Sequence, residues 1–172
     1  MKRLIKIIVL LLVIILFVGG CGKTTKKLDL SNTISDLELV KTDFDKVFEV
    51  FGAPTSEIEI TEHDNYTNYG APYEKRVFGN LIGAPSVFYM DFDPHLEMSY
   101  LSITFVSDDN DLSANQLKTV IIEELEKHFE KSEQRDNDPV EAEYYGVRDN
   151  MEVKLSKATN GYEIVLIYTE FK

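Results

Sequence analysis

The stretch MSYLSITFV, residues 98–106, alternates apolar and polar side chains with a period of two, the pattern of a half-buried β-strand. In an extended chain the apolar members share one side, and they are Leu101, Ile103 and Phe105. The side chains of the opposite side are Tyr100, Ser102 and Thr104. The segment before it, SVFYMDF at residues 86–92, alternates too, and Asp93, Pro94 and His95 separate the two. These residues predict an antiparallel hairpin with one side facing a core.

Two other segments carry the helical period. In TDFDKVFEVFGAP, residues 42–54, apolar side chains recur at i, i+3, i+4 and i+7, and Gly52 with Pro54 ends the pattern. These apolar side chains are Phe44, Val47, Phe48 and Phe51. The second segment is LSANQLKTVIIEELEKHFEK, residues 112–131, where Ser113 and Gln116 have the spacing of a capping box.

The remaining periodic segments predict strands, and they are SEIEIT, EAEYYGV, MEVKLSK and YEIVLIYTEF. Asn160–Gly161, between the last two, predicts a type I′ hairpin turn. Each helix is thus followed by a run of strands. We expect a two-layer α+β fold, an antiparallel sheet with two helices on one face, and a pseudo-repeat of one helix followed by three strands.

The N-terminus has the plan of an export signal. A basic start at Lys2, Arg3 and Lys6 precedes an unbroken apolar run of twelve residues, Ile7–Val18. The run is shorter than the roughly 20 residues that a membrane-spanning helix needs. The segment ends in FVGGCGKTTKK, residues 17–27. A phosphate-binding loop is excluded there, because its first glycine would have to stand at Phe17, and we expect no nucleotide.

The stretch from Val18 through two glycines to Cys21 resembles the lipobox of a bacterial lipoprotein, with valine in place of the usual leucine. The resemblance implies cleavage before Cys21 and a diacylglyceryl thioether on its sulfur. An uncleaved membrane anchor is the alternative. Cys21 is the single cysteine, so an exported chain could form no internal disulfide with it. We therefore expect a lipid-anchored protein on the extracytoplasmic face of the cell membrane.

The expected organisation is a signal peptide over residues 1–20, a lipidated cysteine with a flexible tether over residues 21–36, and one α+β domain over residues 37–172. Cleavage removes three of the 18 basic residues and none of the 30 acidic ones, which leaves a formal charge of −15. A surplus of this size excludes nucleic acid as a partner, since no basic surface is available to displace counterions. It favours solubility, a basic partner or divalent cations.

The segment FDKVFEVFGAP, residues 44–54, resembles the helix-then-Gly-x-Pro signature of two related groups. These are the β-lactamase-inhibitor-protein-like domains and the small lipoproteins of the outer-membrane β-barrel assembly machinery. The resemblance implies helices on an antiparallel sheet and a role in binding proteins. The glycine turn that these groups place before the helix is replaced here by LELVKT, residues 37–42.

Residues 63–85 lack periodicity and combine tyrosines with Asn, Gly and Pro, a composition suited to contact surfaces. We expect a long partner-binding loop, and its tyrosines are Tyr66, Tyr69 and Tyr73. The alternative is a short strand near residues 75–78 that packs on the sheet.

The hairpin tip DFDPHLE is the one segment with metal-ligand chemistry. Its alternate residues could present oxygen and nitrogen ligands to a cation on one side, and they are Asp91, Asp93, His95 and Glu97. Pro94 favours a turn that would scatter them, and a solvated tip is then the simpler interpretation.

Catalytic motifs are missing from the sequence. No G-x-S-x-G or H-E-x-x-H occurs, and the only thiol is the lipidation candidate Cys21. We therefore predict no enzyme and no cofactor. The leading hypothesis is a protein-binding module that recognises another envelope or secreted protein. The alternatives are a cation- or small-solute-binding lipoprotein and, third, a hydrolase.

Overall fold

A computed structural model describes residues 25–40, 49–62, 66–92, 96–134 and 141–171. These residues form an α+β fold that is mostly antiparallel sheet with a few helices. Within them, no helix combines the length and the apolar character needed to span a membrane.

The sheet of the described part has nine strands, and every pairing in it is antiparallel. The strands are β1 (Glu59–Glu62), β2 (Tyr66–Pro72), β3 (Arg76–Phe78), β4 (Leu81–Phe92), β5 (Leu96–Val106), β6 (Glu130–Lys131), β7 (Tyr144–Arg148), β8 (Met151–Ala158) and β9 (Gly161–Phe171). They lie in the order β1-β2-β4-β5-β9-β8-β7-β6, and β3 pairs with the first residues of β4. The helices are α1 (Ser31–Val40), α2 (Ser107–Asn110) and α3 (Ala114–His128). Residues 49–51 are helical as well.

The predicted hairpin is confirmed and forms the centre of the sheet. Strand β5 pairs with β4 on one side and with β9 on the other, so that Leu101 lies opposite both Val87 and Leu166. All three side chains are fully buried. Ile34 of α1 and Ile121 of α3 belong to the same hydrophobic cluster. The core therefore contains side chains from this side of the sheet and from the two longer helices.

Helix α3 begins where the sequence predicts. The Ser113 side chain accepts a hydrogen bond from the backbone N–H of Gln116, and the Gln116 side chain accepts one from the backbone N–H of Ser113. This capping box satisfies two of the donors that a helix start leaves free. Of the segment at residues 42–54 that predicts the earlier helix, residues 49–54 are described, and residues 49–51 are helical. Gly52 follows them with φ of 79°, as expected at a helix end.

The predicted tether is wrong for residues 25–36. Leu28 and Leu30 are fully buried, and Ser31 begins helix α1. The backbone N–H of Asn80 donates to the carbonyl oxygen of Lys27 over 2.9 Å. The many Thr and Lys residues indicated a solvated segment, but Leu28 and Leu30 alternate into the core. The packed domain thus begins near Thr25 instead of residue 37.

The predicted loop over residues 63–85 is also wrong. It contains β2, β3 and the start of β4, so the alternative of a short strand near residues 75–78 is confirmed. Strand β2 pairs with β4 along its whole length, from Tyr66 opposite Phe92 to Pro72 opposite Ser86. These pairings outweigh the glycine and the proline that favoured a loop.

The turn between β8 and β9 lies one residue earlier than predicted. Ala158 pairs with Gly161, which places Thr159 and Asn160 at the centre of the turn. Asn160 has φ of 59°, whereas the β-branched Thr159 is not among the residues with positive φ. A type I′ turn needs positive φ at both central positions, so the turn is of another type.

Candidate functional site: the outer face of the sheet

The sheet face opposite the core, called the outer face here, carries the candidate site. Along β5, Leu101, Ile103 and Phe105 are fully buried, and the residues between them point to the other side. The register extends this alternation to the neighbouring strands. Tyr100 lies opposite Phe88 on one side and Ile167 on the other.

These three residues form a continuous apolar strip across β4, β5 and β9, called the central strip below. The rings of Phe88 and Tyr100 stack with centroids 4.7 Å apart and planes inclined by 15°. Phe88, Tyr100 and Ile167 are all half-buried. Val165, two residues before Ile167 on the same strand and face, widens the strip and is half-buried as well. An antiparallel sheet with one solvated face normally places polar side chains there, so this strip is unusual.

Gly70 explains how the Phe88 ring is held. It pairs with Phe88 across β2 and β4, and a Cβ atom on it would lie 2.9 Å from Phe88 Cδ1. The missing side chain leaves room for the ring above β2. The ring is thus fixed between the β2 backbone and the Tyr100 ring.

Polar side chains with hydrogen-bond partners border the strip. Ser102 donates to the carboxylate of Glu163, and Tyr145 donates to Glu152 over 2.7 Å.

Asn68, two residues before Gly70 on β2, has a buried side-chain oxygen that finds no hydrogen-bond partner in the described structure. A buried acceptor without a partner is uncommon in proteins, and Asn68 could accept a donor from a bound molecule.

A second apolar pair lies on the same face, towards the start of β4. Val77 of β3 pairs with Ile82 of β4, and these side chains are 67% and 37% exposed. Ile82 shares the face of Phe88, because the two are separated by an even number of positions on one strand. Apolar side chains therefore occur on this face both at the start of β4, at Ile82, and past its middle, at Phe88, which exceeds the scattered single residues of an ordinary surface.

The three predicted contact tyrosines do not form one exposed group. Tyr73 is 4% exposed and packs against Phe51 with ring centroids 5.6 Å apart. Burial raises the pKa of the Tyr73 phenol above its ordinary value, although the charge of Arg76 opposes the rise. Tyr69 is half-buried in β2, and Tyr66 begins that strand. Tyr73 is a core residue and cannot serve as a surface contact.

For the predicted metal site, the structure gives the backbone register of Asp91 and Glu97. The register places Asp91 directly opposite Glu97 on β4 and β5. Asp93 and His95 lie outside the described residues, as does the lipidation candidate Cys21. Among the side chains that the structure describes, which do not include those of Asp91 and Glu97, no three of His, Cys, Asp or Glu come close enough to hold a metal ion.

Glu124 is the most buried charged residue of the described structure, and its contacts explain its position. It accepts hydrogen bonds from the backbone N–H of Leu30 over 3.0 Å and from Lys127 over 2.7 Å, and His128 Nε2 lies 3.1 Å from it. Burial alone would raise the pKa of Glu124, but these bonds together hold the pKa below its ordinary value. Glu124 thus joins α3 to the N-terminal segment.

No protein-family model, no curated protein and no solved structure matches this chain. The candidate site is therefore assigned from its own geometry.

The local patterns of the sequence did not predict the central strip, although the sequence contains a sign of it. The strand segment YEIVLIYTEF contains four consecutive apolar residues, Ile164–Ile167, which supply an apolar side chain to both faces of a sheet. In the same way, Phe88 and Tyr100 are opposite each other once the hairpin register is known. These apolar residues predict a continuous strip only when the register shows that Phe88, Tyr100 and Ile167 are neighbours across three strands.

Proposed function

We propose that this chain is a lipid-anchored, extracytoplasmic binding module that recognises another protein of the cell envelope or a secreted protein through the outer face. The basic start, the short apolar run and the Gly-Gly-Cys sequence support the anchor. The central strip supports the binding surface and is the observation that carries the proposal.

The helices are inferred to cover the core face alone. Buried side chains of α1 and α3 belong to one hydrophobic cluster with Leu101 and Leu166. Tyr100 and Ile167, which alternate with those two leucines, are half-buried. An antiparallel sheet can have one packed and one solvated face, and the solvated one is then available to a partner.

The chemistry of the outer face favours a protein partner with an apolar, nearly flat surface. Stacked aromatic rings offer a large contact area at a small cost in side-chain entropy, and aromatic residues are enriched at interfaces. Glu152 and Glu163 border the strip. Basic groups at the edge of the partner surface would complement these carboxylates and the overall charge of −15.

Cross-linking in living cells of the native host tests the proposal. The variant Ile167→Thr places a hydroxyl in the central strip while it keeps a β-branched side chain in the strand. The matched control is Ile60→Thr on β1, where the side chain is 59% exposed and lies outside the strip. We expect one cross-linked protein to be lost from Ile167→Thr and kept by wild type and by Ile60→Thr. If both variants capture the same proteins as wild type, the outer face is not the binding surface.

One observation favours cation binding as a second candidate function. Two acidic residues at directly opposite positions, as Asp91 and Glu97 are, destabilise a strand pair unless a cation compensates them. A divalent cation at the hairpin tip would raise the melting temperature of wild type and leave that of Asp91→Asn unchanged. A wild-type melting curve that no divalent cation shifts would exclude this function.

A further inference from the structure

The N-terminal segment is bound to the domain from Thr25 onwards. The Asn80 side chain donates from Nδ2 to the carbonyl oxygen of Thr25 over 3.3 Å. The Asn80 backbone N–H donates to the carbonyl oxygen of Lys27. Gly79 beside it has φ of 68°, and a Cβ atom there would lie 2.5 Å from that same oxygen. A glycine at position 79 thus allows the close approach of the segment.

Cys21 stands four residues before Thr25. Even a fully extended chain of four residues spans no more than about 14 Å. A lipid on Cys21 would hold Thr25 within this distance of the sulfur at the membrane surface. This step rests on the proposed lipidation of Cys21.

The sheet topology shows which end of the domain a lipid on Cys21 would keep near the membrane. Asn80 directly precedes β4, and Asn110 of α2 donates through Nδ2 to the carbonyl oxygen of Ile82 over 3.0 Å. The start of β4, the end of β5 and the start of β9 therefore share one end of the sheet. The turn at Asp149 and Asn150, between β7 and β8, lies at the other end. Met151, which follows that turn, lies opposite Tyr168, seven positions along β9 from Gly161, so the two ends are about 24 Å apart at β8.

Thr25 and Lys26 also form one side of a groove of about 560 Å³, and Leu112 and the part of α3 from Asn115 to Glu123 form the other side. Leu112 and Val120 are apolar side chains in this groove, whereas Asn115 and Thr119 are polar ones. The two polar residues are exposed. The groove is also lined by one basic and one acidic side chain, Lys26 and Glu123. This mixture of hydroxyl, amide, aliphatic and oppositely charged groups suits the interfacial layer of a bilayer with zwitterionic headgroups, where polar headgroups meet acyl chains.

We propose that this end of the domain, with the groove beside Lys26, lies against the phospholipid headgroups of the membrane that carries the anchor. The short connection imposes the contact. Electrostatic attraction to an anionic surface does not, because the acidic residues here outnumber Lys26 and Lys27. These acidic residues are Asp108, Asp109, Asp111 and Glu123. The turn at Asp149 and Asn150 then faces away from the membrane.

Tryptophan fluorescence can measure this orientation, since the chain contains no tryptophan of its own. The full chain is produced in a bacterium that processes lipoproteins and is reconstituted into phosphatidylcholine vesicles with a nitroxide on the lipid headgroup. The two variants are Asn115→Trp, in the groove, and Asn150→Trp, at the distant turn; both sites are exposed. Circular dichroism checks that each variant folds. We expect the nitroxide to quench Asn115→Trp several-fold more strongly than Asn150→Trp.

A linker variant shows whether the short connection causes the difference. A Gly/Ser segment of about 20 residues between Lys23 and Thr24 adds a coil of roughly 25 Å. We expect this insertion to remove most of the difference in quenching between the two tryptophans.

The possible failures are distinguishable. Mass spectrometry of the N-terminal peptide shows whether Cys21 carries a diacylglyceryl group, and an unmodified cysteine would overturn both the anchor and the orientation. A lipidated chain with equal quenching at the two tryptophans would overturn the orientation alone.

Discussion

Leu166 and Ile167 are isomeric side chains at neighbouring positions of β9, and they face opposite sides of the sheet. Leu166 is fully buried in the core, opposite Leu101, whereas Ile167 is half-buried beside Tyr100. Their hydrophobicity is nearly the same. The difference arises because α1 and α3 contribute side chains to the core on the side of Leu166.

An apolar residue of a strand therefore need not belong to a core. Burial stabilises a protein in proportion to the apolar area that is removed from water. In the core, the buried hydrophobic cluster removes nearly all of the apolar area of Leu166 from water. On the outer face the area of the central strip is removed only in part, and a partner could remove the rest. The same strands thus serve folding on one face and, in our proposal, binding on the other.

The free energy of unfolding should differ most between Leu166→Ala and Ile167→Ala. Leu166→Ala should lower the free energy of unfolding by about 2–5 kcal/mol, because it leaves a cavity in the core. Ile167→Ala should cost about 1 kcal/mol or less, since its side chain is already partly in water. Urea denaturation of both variants measures the difference. Equal losses would show that the outer face is covered as completely as the core face.

The next effect concerns the buried carboxylate that joins the N-terminal segment to α3. At neutral pH, Glu124→Gln should lower the free energy of unfolding by about 1–3 kcal/mol, because a charged acceptor of several hydrogen bonds is lost. Since the pKa of Glu124 is lowered in the folded protein, its contribution is present above the ordinary pKa of a glutamate, about 4.3. It is lost as the pH falls through the lowered value.

Urea denaturation at several pH values tests whether the stabilisation by Glu124 is lost as the pH falls. The difference in stability between wild type and Glu124→Gln should be full near pH 7 and should shrink as the pH falls below about 4. Glu126→Gln, an exposed position on the same helix, is the control. A difference that grows in acid would contradict the assigned role of Glu124.

Local patterns predicted those parts of the fold that depend on neighbouring residues. Strict alternation identified β5, and the spacing of Ser113 and Gln116 identified the start of α3. Both signals lie within one segment and need no distant contact. The pseudo-repeat of a helix and three strands stays a prediction.

Other parts depend on contacts between distant segments, and local patterns gave the wrong answer there. Leu28 and Leu30 stand among polar residues, yet both are buried in the hydrophobic cluster. Distant residues hold their segment: Asn80 donates to the carbonyl oxygen of Lys27, and Glu124 accepts from the backbone N–H of Leu30. Strand β2 contains Gly70, which is unfavourable in a strand until the Phe88 ring lies over it. For the same reason the candidate site was predicted at the tyrosines of the supposed loop and not at the central strip.

A smaller effect tests whether the central strip is preformed. In a double-mutant cycle with Phe88→Ala and Tyr100→Ala, we expect a coupling energy of about 0.5–1.5 kcal/mol from the stacked rings. Urea denaturation of the two single variants and the double variant gives this value. Additive losses would show that the two rings do not support each other, and the strip would then not be a rigid contact surface.

The smallest expected effect separates Tyr73 from the outer face. Its hydroxyl is buried and has no hydrogen-bond partner in the described structure. Folding removes this hydroxyl from water without compensation, and Tyr73→Phe abolishes that cost. The free energy of unfolding should change by about 1 kcal/mol or less, in the direction of greater stability. Because Tyr73 packs on Phe51 in the core, the capture of a partner in cells should match wild type. Loss of the partner in a stably folded Tyr73→Phe protein would mean that this hydroxyl reaches the binding surface, and the contrast between the two faces would no longer hold at β2.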